Sequence, residues 1–310
     1  MFTIAIHGGA GTILPHELTR ERERAYTEAL REAIAAGETV LRRSGTALDA
    51  VEQAIISLEN CPLFNAGRGA VFTHDGVHEL DASLMCGATQ LAGAVAGVRG
   101  VVNPISLARA VAEQTEHVLL AGAGAEAFGR SIGAAFAEAE YFYSQFRYDQ
   151  FQQALRDDAI GLDHSIKLVS DEKKFGTVGA VALDKMGNLA AGTSTGGMTN
   201  KKWGRVGDSP LIGAGTFAEN LTCAVSCTGH GEFFIKNVVA YDVACLMRYK
   251  GLSLLEAATQ VVMDKLAPIG AEGGLIAVDA HGNIALPFNS AGMYRASLRE
   301  GEAAKIAIFK

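Results

Sequence analysis

Two patterns of hydrophobic and polar positions divide the chain, one typical of helices and the other of buried strands. Residues 19–43 carry charges on one face and leucine and isoleucine on the other, which predicts a long amphipathic helix. Thr46 and Asp49 form a capping-box pattern, so a second helix is expected to run from there to about residue 60. Further helices are predicted over residues 104–116, 122–139, 232–249 and 253–266.

Short runs of apolar and β-branched residues predict the strands. They cover residues 2–6, 70–73, 78–85, 93–98, 177–183, 189–195, 222–227, 274–279 and 283–287. Residues 7–11, HGGAG, are expected to form a turn, and residues 118–121 fit either a strand or the start of a buried helix. Helices come in consecutive pairs and strands as hairpins. This order favours mixed or antiparallel sheets with helix layers outside, rather than alternating βαβ units.

A single long stretch, residues 156–174, is rich in charge and has no lasting period, so we predict a loop or linker there. Apolar residues make up 49% of the 310 residues, which is enough for a sizeable core. Length alone allows two average domains or one large one. No internal repeat is visible.

The charge, hydropathy and cysteine content of the chain argue against several classes of protein. The net charge is −7 and basic residues do not cluster, which argues against a nucleic-acid surface. No apolar run approaches the roughly 20 residues of a membrane span, and the first residues lack the features of a signal peptide. The five cysteines are an odd number without a CxxC motif, and Cys223 and Cys227 are too far apart along one strand for a disulfide. We therefore expect a reducing cytoplasm, with buried and inert thiols.

The segment Val118–Phe128, VLLAGAGAEAF, offers a nucleotide-binding alternative. A predicted strand enters a G-x-G-x-x-A pattern with Gly122, Gly124 and Ala127, which could hold a pyrophosphate at a helix N-terminus. No second strand follows at the expected distance, so a glycine-permitted packing turn is favoured. A dinucleotide-dependent enzyme using Gly122 and Gly124 remains the alternative from a different class.

Two other features are given structural interpretations. His74 and His78 flank the turn signal Asp75-Gly76, so a solvated hairpin tip is favoured over a metal site. The lone Trp203 is expected to pack in the core.

Three Thr-Gly junctions form the stronger signal. Thr177 follows Gly176, while Thr195 and Thr228 each precede a glycine at a predicted strand end. A hydroxyl is a weak nucleophile unless a base removes its proton, and the α-amine of an N-terminal threonine is such a base. Thr177 would gain that amine only by cleavage of the Gly176–Thr177 bond, behind the polar stretch. Ordinary strand-end threonines remain the alternative at this point.

Seven motifs, in a fixed order, supply a family resemblance. They are HGGAG (7–11), CPLFNAGRGAVFT (61–73), HELDASLM (78–85), GTVGAVALD (176–184), STGGMTNK (194–201), GRVGDSPLIGAG (204–215) and SCTGHGE (226–232). Together they resemble the bacterial plant-type (type III) L-asparaginase/isoaspartyl peptidase family of N-terminal-nucleophile hydrolases. The resemblance covers essentially the whole chain. It implies an α/β (α+β) fold, a four-layer αββα sandwich, with residues 1–310 as one domain cut into 1–176 and 177–310.

The resemblance also implies the catalytic residues. Thr177 matches the nucleophile, and Thr195 matches a second threonine that hydrogen-bonds and tunes it. The Thr228 hydroxyl and the Gly229 N–H match the oxyanion hole, where two donors face the developing negative oxygen. Gly176 and Thr177 form the cleavage site.

The resemblance also implies which residues bind the substrate, and these contacts fit a small amino acid. Arg205 would bind the α-carboxylate through a bidentate fork and Asp208 the α-ammonium, with the Gly231 carbonyl beside Asp208 and Asn65 bordering the site. The implied function is an isoaspartyl peptidase with L-asparaginase activity, acting on L-asparagine and β-aspartyl dipeptides. Glycosylasparaginase is the nearest alternative among hydrolases, and a binding protein that keeps the fold without cleaving is a further one.

The family also suggests a structural sodium ion, no catalytic cofactor and a homodimer of cleaved units. The sodium ligands would be main-chain carbonyls of Leu58, Glu59, Cys61, Phe64, Ala66 and Arg68. A turn containing proline and glycine needs no ion, so both interpretations of this loop stand. His230 departs from a small hydroxyl residue in a relative; it could line the leaving-group side or face solvent.

Overall fold

The computed structural model describes residues 1–11, 13–14, 16, 18–157 and 176–310. The strands are β1 (Thr3–Gly11), β2 (Leu80–Cys86), β3 (Ala92–Val98), β4 (Leu119–Ala121), β5 (Val178–Leu183), β6 (Leu189–Thr195), β7 (Thr216–Ala218), β8 (Cys223–Gly229), β9 (Gly273–Asp279), β10 (Ile284–Ala285), β11 (Gly292–Arg299) and β12 (Lys305–Phe309). The α-helices are α1 (Arg20–Arg42), α2 (Ala47–Asn60), α3 (Pro104–Gln114), α4 (Gly122–Ser131), α5 (Ala139–Phe142), α6 (Gln145–Arg156), α7 (Gly231–Asn237), α8 (Val239–Lys250) and α9 (Leu254–Thr259). A π-helical segment, Gln260–Leu266, continues α9.

The strands form two stacked sheets. The larger has the order β12-β11-β1-β5-β6-β2-β3-β4, and the smaller has the order β10-β9-β8-β7. Helices α1, α2 and α3 contact the larger sheet, β5 and β1 contact the smaller one, and α8 and α9 cover its other face. The predicted αββα sandwich is therefore confirmed.

Alternation along the central strands separates the two apolar layers. Ile4 and Ile6 of β1 belong to the core under α1 and α2, whereas Ala5 between them belongs to the core that joins the sheets. Successive side chains of a strand point to opposite faces, so a strand covered on both sides reads as continuously apolar.

Local signals set the first two helices. Thr19 caps α1, where its side chain accepts a hydrogen bond from the Arg22 N–H. Thr46 and Asp49 make the reciprocal capping box of α2, at 3.1 and 3.4 Å. Both predicted helices are confirmed within a residue or two of their ends.

Several predicted elements are wrong. Residues 7–11 continue β1 through a bulge between His7 and Gly9 instead of turning, and residues 70–73 are not a strand. The helix predicted over 232–249 breaks at Val238, whose positive φ of 49° separates α7 from α8. The helix expected to reach residue 139 ends at Ser131. Strands β7, β11 and β12 and helix α6 had not been predicted.

Three single-residue interpretations also change. Trp203, expected to pack, is 95% exposed. His78, expected at a solvated tip, is buried against Phe72 and bonds to the Val71 carbonyl oxygen at 3.2 Å. Most of the predicted linker, residues 158–174, lies outside the described residues.

All five cysteines are free. Burial raises the pKa of the Cys223 thiol to about 12 and that of Cys227 well above its ordinary value, which makes both inert. Cys61, Cys86 and Cys245 are only half-buried, so the prediction of buried thiols holds for two of the five. Across the described residues, no helix is both long and apolar enough to cross a membrane.

Candidate active site

A small cavity lies where three strands end, and it brings together most of the predicted site residues. Thr177 directly precedes β5, Thr195 ends β6, and Thr228 and Gly229 end β8. The cavity encloses about 370 Å³ including its mouth. Its lining residues are Gly176, Thr177, Thr195, Gly197, Met198, Arg205, Gly207, Asp208, Ser209, Thr228 and Gly229.

The two threonines from the larger sheet are hydrogen-bonded. Thr177 Oγ1 donates to Thr195 Oγ1 at 3.1 Å, and Thr195 Oγ1 also accepts from the Gly197 N–H at 3.0 Å. The antiparallel pairing of β5 and β6 joins Val178 to Ser194, which brings the start of one strand beside the end of the other. A hydroxyl that accepts from a backbone N–H is well placed to orient a second hydroxyl.

Gly176 lines the cavity beside the third threonine. A Cβ on Gly176 would lie 3.7 Å from Thr228 Oγ1, so a side chain at this position would be in van der Waals contact with that hydroxyl. Gly9 closes the other side, because a Cβ there would lie 2.7 Å from both N and O of Gly176. Gly9 has a φ of +109°, a conformation that suits glycine. The peptide between Gly176 and Thr177 is therefore tightly enclosed.

Arg205 is held by a bidentate pair with Glu232. Its Nε and Nη2 donate to the two carboxylate oxygens at 2.8 and 3.0 Å. Since the Nε–Nη2 edge is taken by Glu232, the Nη1 side of the guanidinium remains for a ligand in the cavity that Arg205 lines.

Asp208 is a buried carboxylate without a full set of partners. It is 4% exposed, and its Oδ2 has no hydrogen-bond partner among the described residues. Burial raises the pKa of Asp208 to about 7, with Glu232 and Asp81 adding to the effect and the Arg205 charge opposing it. An unsatisfied buried carboxylate oxygen in a cavity favours a cationic ligand group.

Gly231 and Asn65 lie next to the cavity without lining it. A Cβ on Gly231 would lie 2.9 Å from Asp208 Oδ1 and 2.8 Å from Arg205 Nη2, so a larger residue there would displace both. Asn65 donates from Nδ2 to the Gly197 carbonyl at 2.7 Å and accepts from the Val71 N–H at 3.0 Å. Asn65 therefore holds the turn after Thr195.

Glu232 and Ser209 had not been recognised from the sequence, although both belong to motifs that were. Glu59 was predicted only as a main-chain sodium ligand, but its side chain also has partners, because its Oε1 accepts from Ser194 Oγ at 2.6 Å and from the Ile105 N–H at 3.0 Å. Burial raises the pKa of Glu59 to about 7. Its contact with Ser194, the neighbour of Thr195, is long-range, so no local pattern could reveal it.

The loop predicted to hold sodium folds back on its own carbonyls. The carbonyl oxygens of Leu58, Phe64 and Ala66 each accept one loop N–H, at 3.2, 3.0 and 3.1 Å, and each keeps a second lone pair. A Cβ on Gly67 would lie 2.6 Å from the Glu59 carbonyl oxygen. The described residues contain no group of three acidic, histidine or cysteine side chains suited to a metal. A hard cation here would therefore depend on these carbonyls, as the prediction requires.

The nucleotide-binding alternative gains little from the geometry. Gly122 starts α4 directly after the three-residue strand β4, as the pattern predicted. Within the described residues, a Cβ on Gly122 or Gly124 would meet nothing within 4 Å, so the close packing that was predicted for this turn is wrong. His230 precedes α7, is half-buried, and its Nδ1 has no partner within the described chain.

Comparison with known proteins gives one consistent result. The asparaginase family model matches residues 1–308. The isoaspartyl peptidases of Salmonella typhimurium and Escherichia coli are 54% and 53% identical over 307 residues, which is 99% of this chain and 98% and 96% of those proteins. A plant-type L-asparaginase of Pyrobaculum calidifontis is 43% identical over 304 residues, covering 97% of this chain and 98% of that protein.

Proposed function

This chain belongs to the asparaginase family, and on that premise we propose that it is an isoaspartyl peptidase with L-asparaginase activity. One observation carries the proposal. A single cavity combines the hydrogen-bonded pair Thr177–Thr195 with Arg205 and the partnerless carboxylate oxygen of Asp208. The substrates are L-asparagine and β-aspartyl dipeptides.

Charge complementarity orients the substrate. Its α-carboxylate binds the free edge of the Arg205 guanidinium, which Glu232 holds in place. Its α-ammonium binds Asp208 Oδ2, supplying the partner that this oxygen lacks. With both α-groups held on one side, the side-chain carbonyl is the electrophile that reaches Thr177 Oγ1.

The reaction proceeds by covalent catalysis. Thr177 Oγ1 attacks the side-chain carbonyl carbon while its proton passes to the α-amine of the same residue. The Thr228 hydroxyl and the Gly229 N–H donate to the oxyanion. The protonated α-amine of Thr177 then gives this proton to the substrate's leaving nitrogen. Ammonia or the peptide amine departs, which leaves a β-aspartyl ester on Thr177. Water, deprotonated by the same amine, hydrolyses that ester and releases aspartate.

The α-amine requires maturation. The chain cuts itself between Gly176 and Thr177, which gives subunits 1–176 and 177–310. The close packing of Gly9 against Gly176 and the position of Thr228 beside it support this step. The Thr228 donor can serve the oxyanion of self-cleavage as well as that of hydrolysis.

Three further proposals concern the surroundings of the site. A sodium ion would be held by carbonyls of Leu58, Glu59, Cys61, Phe64, Ala66 and Arg68, where it would brace the loop without taking part in the chemistry. Two cleaved units would associate as a homodimer. The free cysteines support a reducing compartment, the cytoplasm.

Intact mass followed by two activity assays tests the function. We expect two subunits with Thr177 as the N-terminus of the smaller, and hydrolysis of both β-aspartyl-leucine and L-asparagine. A fully cleaved protein inactive on both substrates would contradict the proposal.

A further inference from the structure

A chain of buried polar side chains crosses the interface between the two sheets. We call it the hydroxyl seam; its five members, all 0% exposed, are His7, Ser83, Thr193, Thr216 and Ser226. His7 Nε2 lies 3.0 Å from Ser226 Oγ, which is 2.7 Å from Thr193 Oγ1. Thr216 Oγ1 lies 2.6 Å from Thr193 Oγ1 and 2.8 Å from Ser83 Oγ, and Ser83 donates to the Ser209 carbonyl at 2.6 Å.

The seam links strands of different sheets. His7, Ser83 and Thr193 belong to β1, β2 and β6 of the larger sheet, whereas Thr216 and Ser226 belong to β7 and β8 of the smaller one. The apolar core that joins the sheets contains small residues such as Ala5 and Ala191 and larger ones such as Val181 and Leu183. Apolar packing is non-directional, while hydrogen bonds require set distances and angles. The seam therefore fixes the offset between the sheets more sharply than apolar packing alone can.

That offset determines the geometry of the site, because the proposed reaction uses both sheets. Thr177 and Thr195 belong to the larger sheet, and Thr228 belongs to the smaller. Thr193 stands two residues before Thr195 on β6, and Ser226 stands two residues before Thr228 on β8. Residues i and i+2 of a strand share a face. The Thr193–Ser226 hydrogen bond is thus one step along the same strand faces from the catalytic threonines.

Both ends of the seam reach the site. His7 pairs across the sheet with Gly179, two residues after Thr177. A Cβ on Gly179 would lie 2.5 Å from His7 Nε2, so the absent side chain leaves room for the His7–Ser226 contact. At the other end, Ser209 follows Asp208 and lines the cavity. Burial lowers the pKa of His7 to about 3, so its imidazole is neutral at working pH and contributes position rather than charge.

We propose that the hydroxyl seam is a positioning device that aligns the Thr228 oxyanion donor with the Thr177 nucleophile across the two sheets. This inference rests on the proposed function. Misplacement of reacting groups by about 1 Å can cost about 10²-fold in rate. Loss of the seam is therefore expected to lower kcat and to leave KM nearly unchanged, since Arg205 and Asp208 remain in place.

Thr193→Val tests the inference, because it replaces a hydroxyl by a methyl group of similar volume. Thr193→Ser restores the hydroxyl, and Thr3→Val is the matched control. Thr3 is equally buried on β1, but within the described residues its hydroxyl makes a single long contact, 3.5 Å to the Gly282 carbonyl. We expect kcat of cleaved Thr193→Val to fall about 10–100-fold with KM within about threefold, and Thr193→Ser and Thr3→Val to stay near wild type.

Wild-type hydrolysis of both substrates in the same assay separates failure of the seam from failure of the function. A wild-type kcat in cleaved Thr193→Val overturns the inference, as does an equal loss in Thr193→Ser. If Thr193→Val stays uncut, Ser226→Ala is measured in the same way. If Thr193→Val and Ser226→Ala both stay uncut but unfold at the same temperature as Thr3→Val, the inference is supported, because the proposed self-cleavage uses the same Thr228 donor. Uncut precursors that unfold well below that temperature show a stabilising role only and overturn it.

Discussion

Replacing Asp208 by Asn should stabilise the folded chain while it weakens the enzyme. The Asp208 pKa of about 7 lies about three pKa units above its ordinary value of 3.8. At 1.36 kcal/mol for each unit, the ionised carboxylate costs the empty folded state about 4 kcal/mol. Between pH 3.8 and about 7, Asp208 binds more protons in the folded chain than in the unfolded chain. The free energy of unfolding therefore falls as the pH rises through this range.

The size of the gain should therefore depend on pH. Removal of the carboxylate should raise the free energy of unfolding by only about 1 kcal/mol at pH 4.5. This gain should level off near 4 kcal/mol above about pH 8. The buried Asn amide offsets part of this gain, which leaves about 2–4 kcal/mol at pH 8.5. For a chain of 310 residues that corresponds to a rise in melting temperature of roughly 3–6 °C.

Thermal unfolding at pH 4.5 and 8.5 checks this prediction. The chain with Asp208 and the Asp208→Asn variant should both carry Thr177→Ala, so that they stay uncut and Gly176 keeps its place at the cavity. A gain that is equal at the two pH values, or a loss at pH 8.5, would refute the reasoning that burial of an unpaired carboxylate is the cause.

The same substitution should lower activity in the cleaved enzyme. A buried charge pair that loses one partner costs about 3–5 kcal/mol, so kcat/KM for L-asparagine should fall about 10²–10⁴-fold. The wild-type kcat/KM should also rise with pH through about 7, because the substrate ammonium needs the ionised form of Asp208. An Asn variant that keeps wild-type kcat/KM would show that Asp208 does not bind the ammonium.

Three other substitutions separate the proposed roles. Thr177→Ala should remain one chain of 32.5 kDa and be inactive, whereas wild type should give subunits of about 18.5 and 14.0 kDa by residue share; Edman sequencing that starts elsewhere than Thr177 would exclude this cleavage site. Cleaved Thr228→Ala should lose about 10²–10³-fold in kcat with little change in KM, and a change confined to KM would contradict the oxyanion role. Arg205→Lys should cleave itself yet lose activity on both β-aspartyl-leucine and L-asparagine, because an ammonium cannot form the bidentate fork. Wild-type kcat/KM in that variant would remove Arg205 from the carboxylate site.

The sequence predicted most accurately the helices and strands that are determined by neighbouring residues. The Thr46–Asp49 capping box and the period of residues 19–43 identified α1 and α2 almost to the residue. Strand β11 was missed, since glycine and arginine interrupt its apolar pattern, and the short strand β12 was missed with it. Strand β11 gains its place from pairing with β1 near the start of the chain, and β12 pairs with β11. Such long-range pairing leaves no local pattern.

The candidate site divides in the same way. Residues in motifs, such as Thr177, Thr195 and Arg205, could be proposed from the sequence. Their partners could not, because Glu232 lies 27 residues from the Arg205 that it binds and Ser226 lies 33 from Thr193. Asn65, predicted to border the site, lies next to the cavity, and only the fold shows that it holds the turn after Thr195. The sequence located chemical groups, and the fold decided which of them meet.

The position of Gly176 relates maturation to hydrolysis. It lines the cavity beside Thr228 and next to Thr177, where the proposed mechanism places the acyl group of a substrate. We therefore expect the uncut chain to bind substrate poorly, and the proposed cleavage both to free the amine and to clear this space. In this mechanism Thr228 serves both reactions, whereas Arg205 and Asp208 serve only hydrolysis, because no α-carboxylate or α-ammonium takes part in the cut. Substitutions at Arg205 or Asp208 should consequently leave maturation intact, and substitutions at Thr228 should slow both steps.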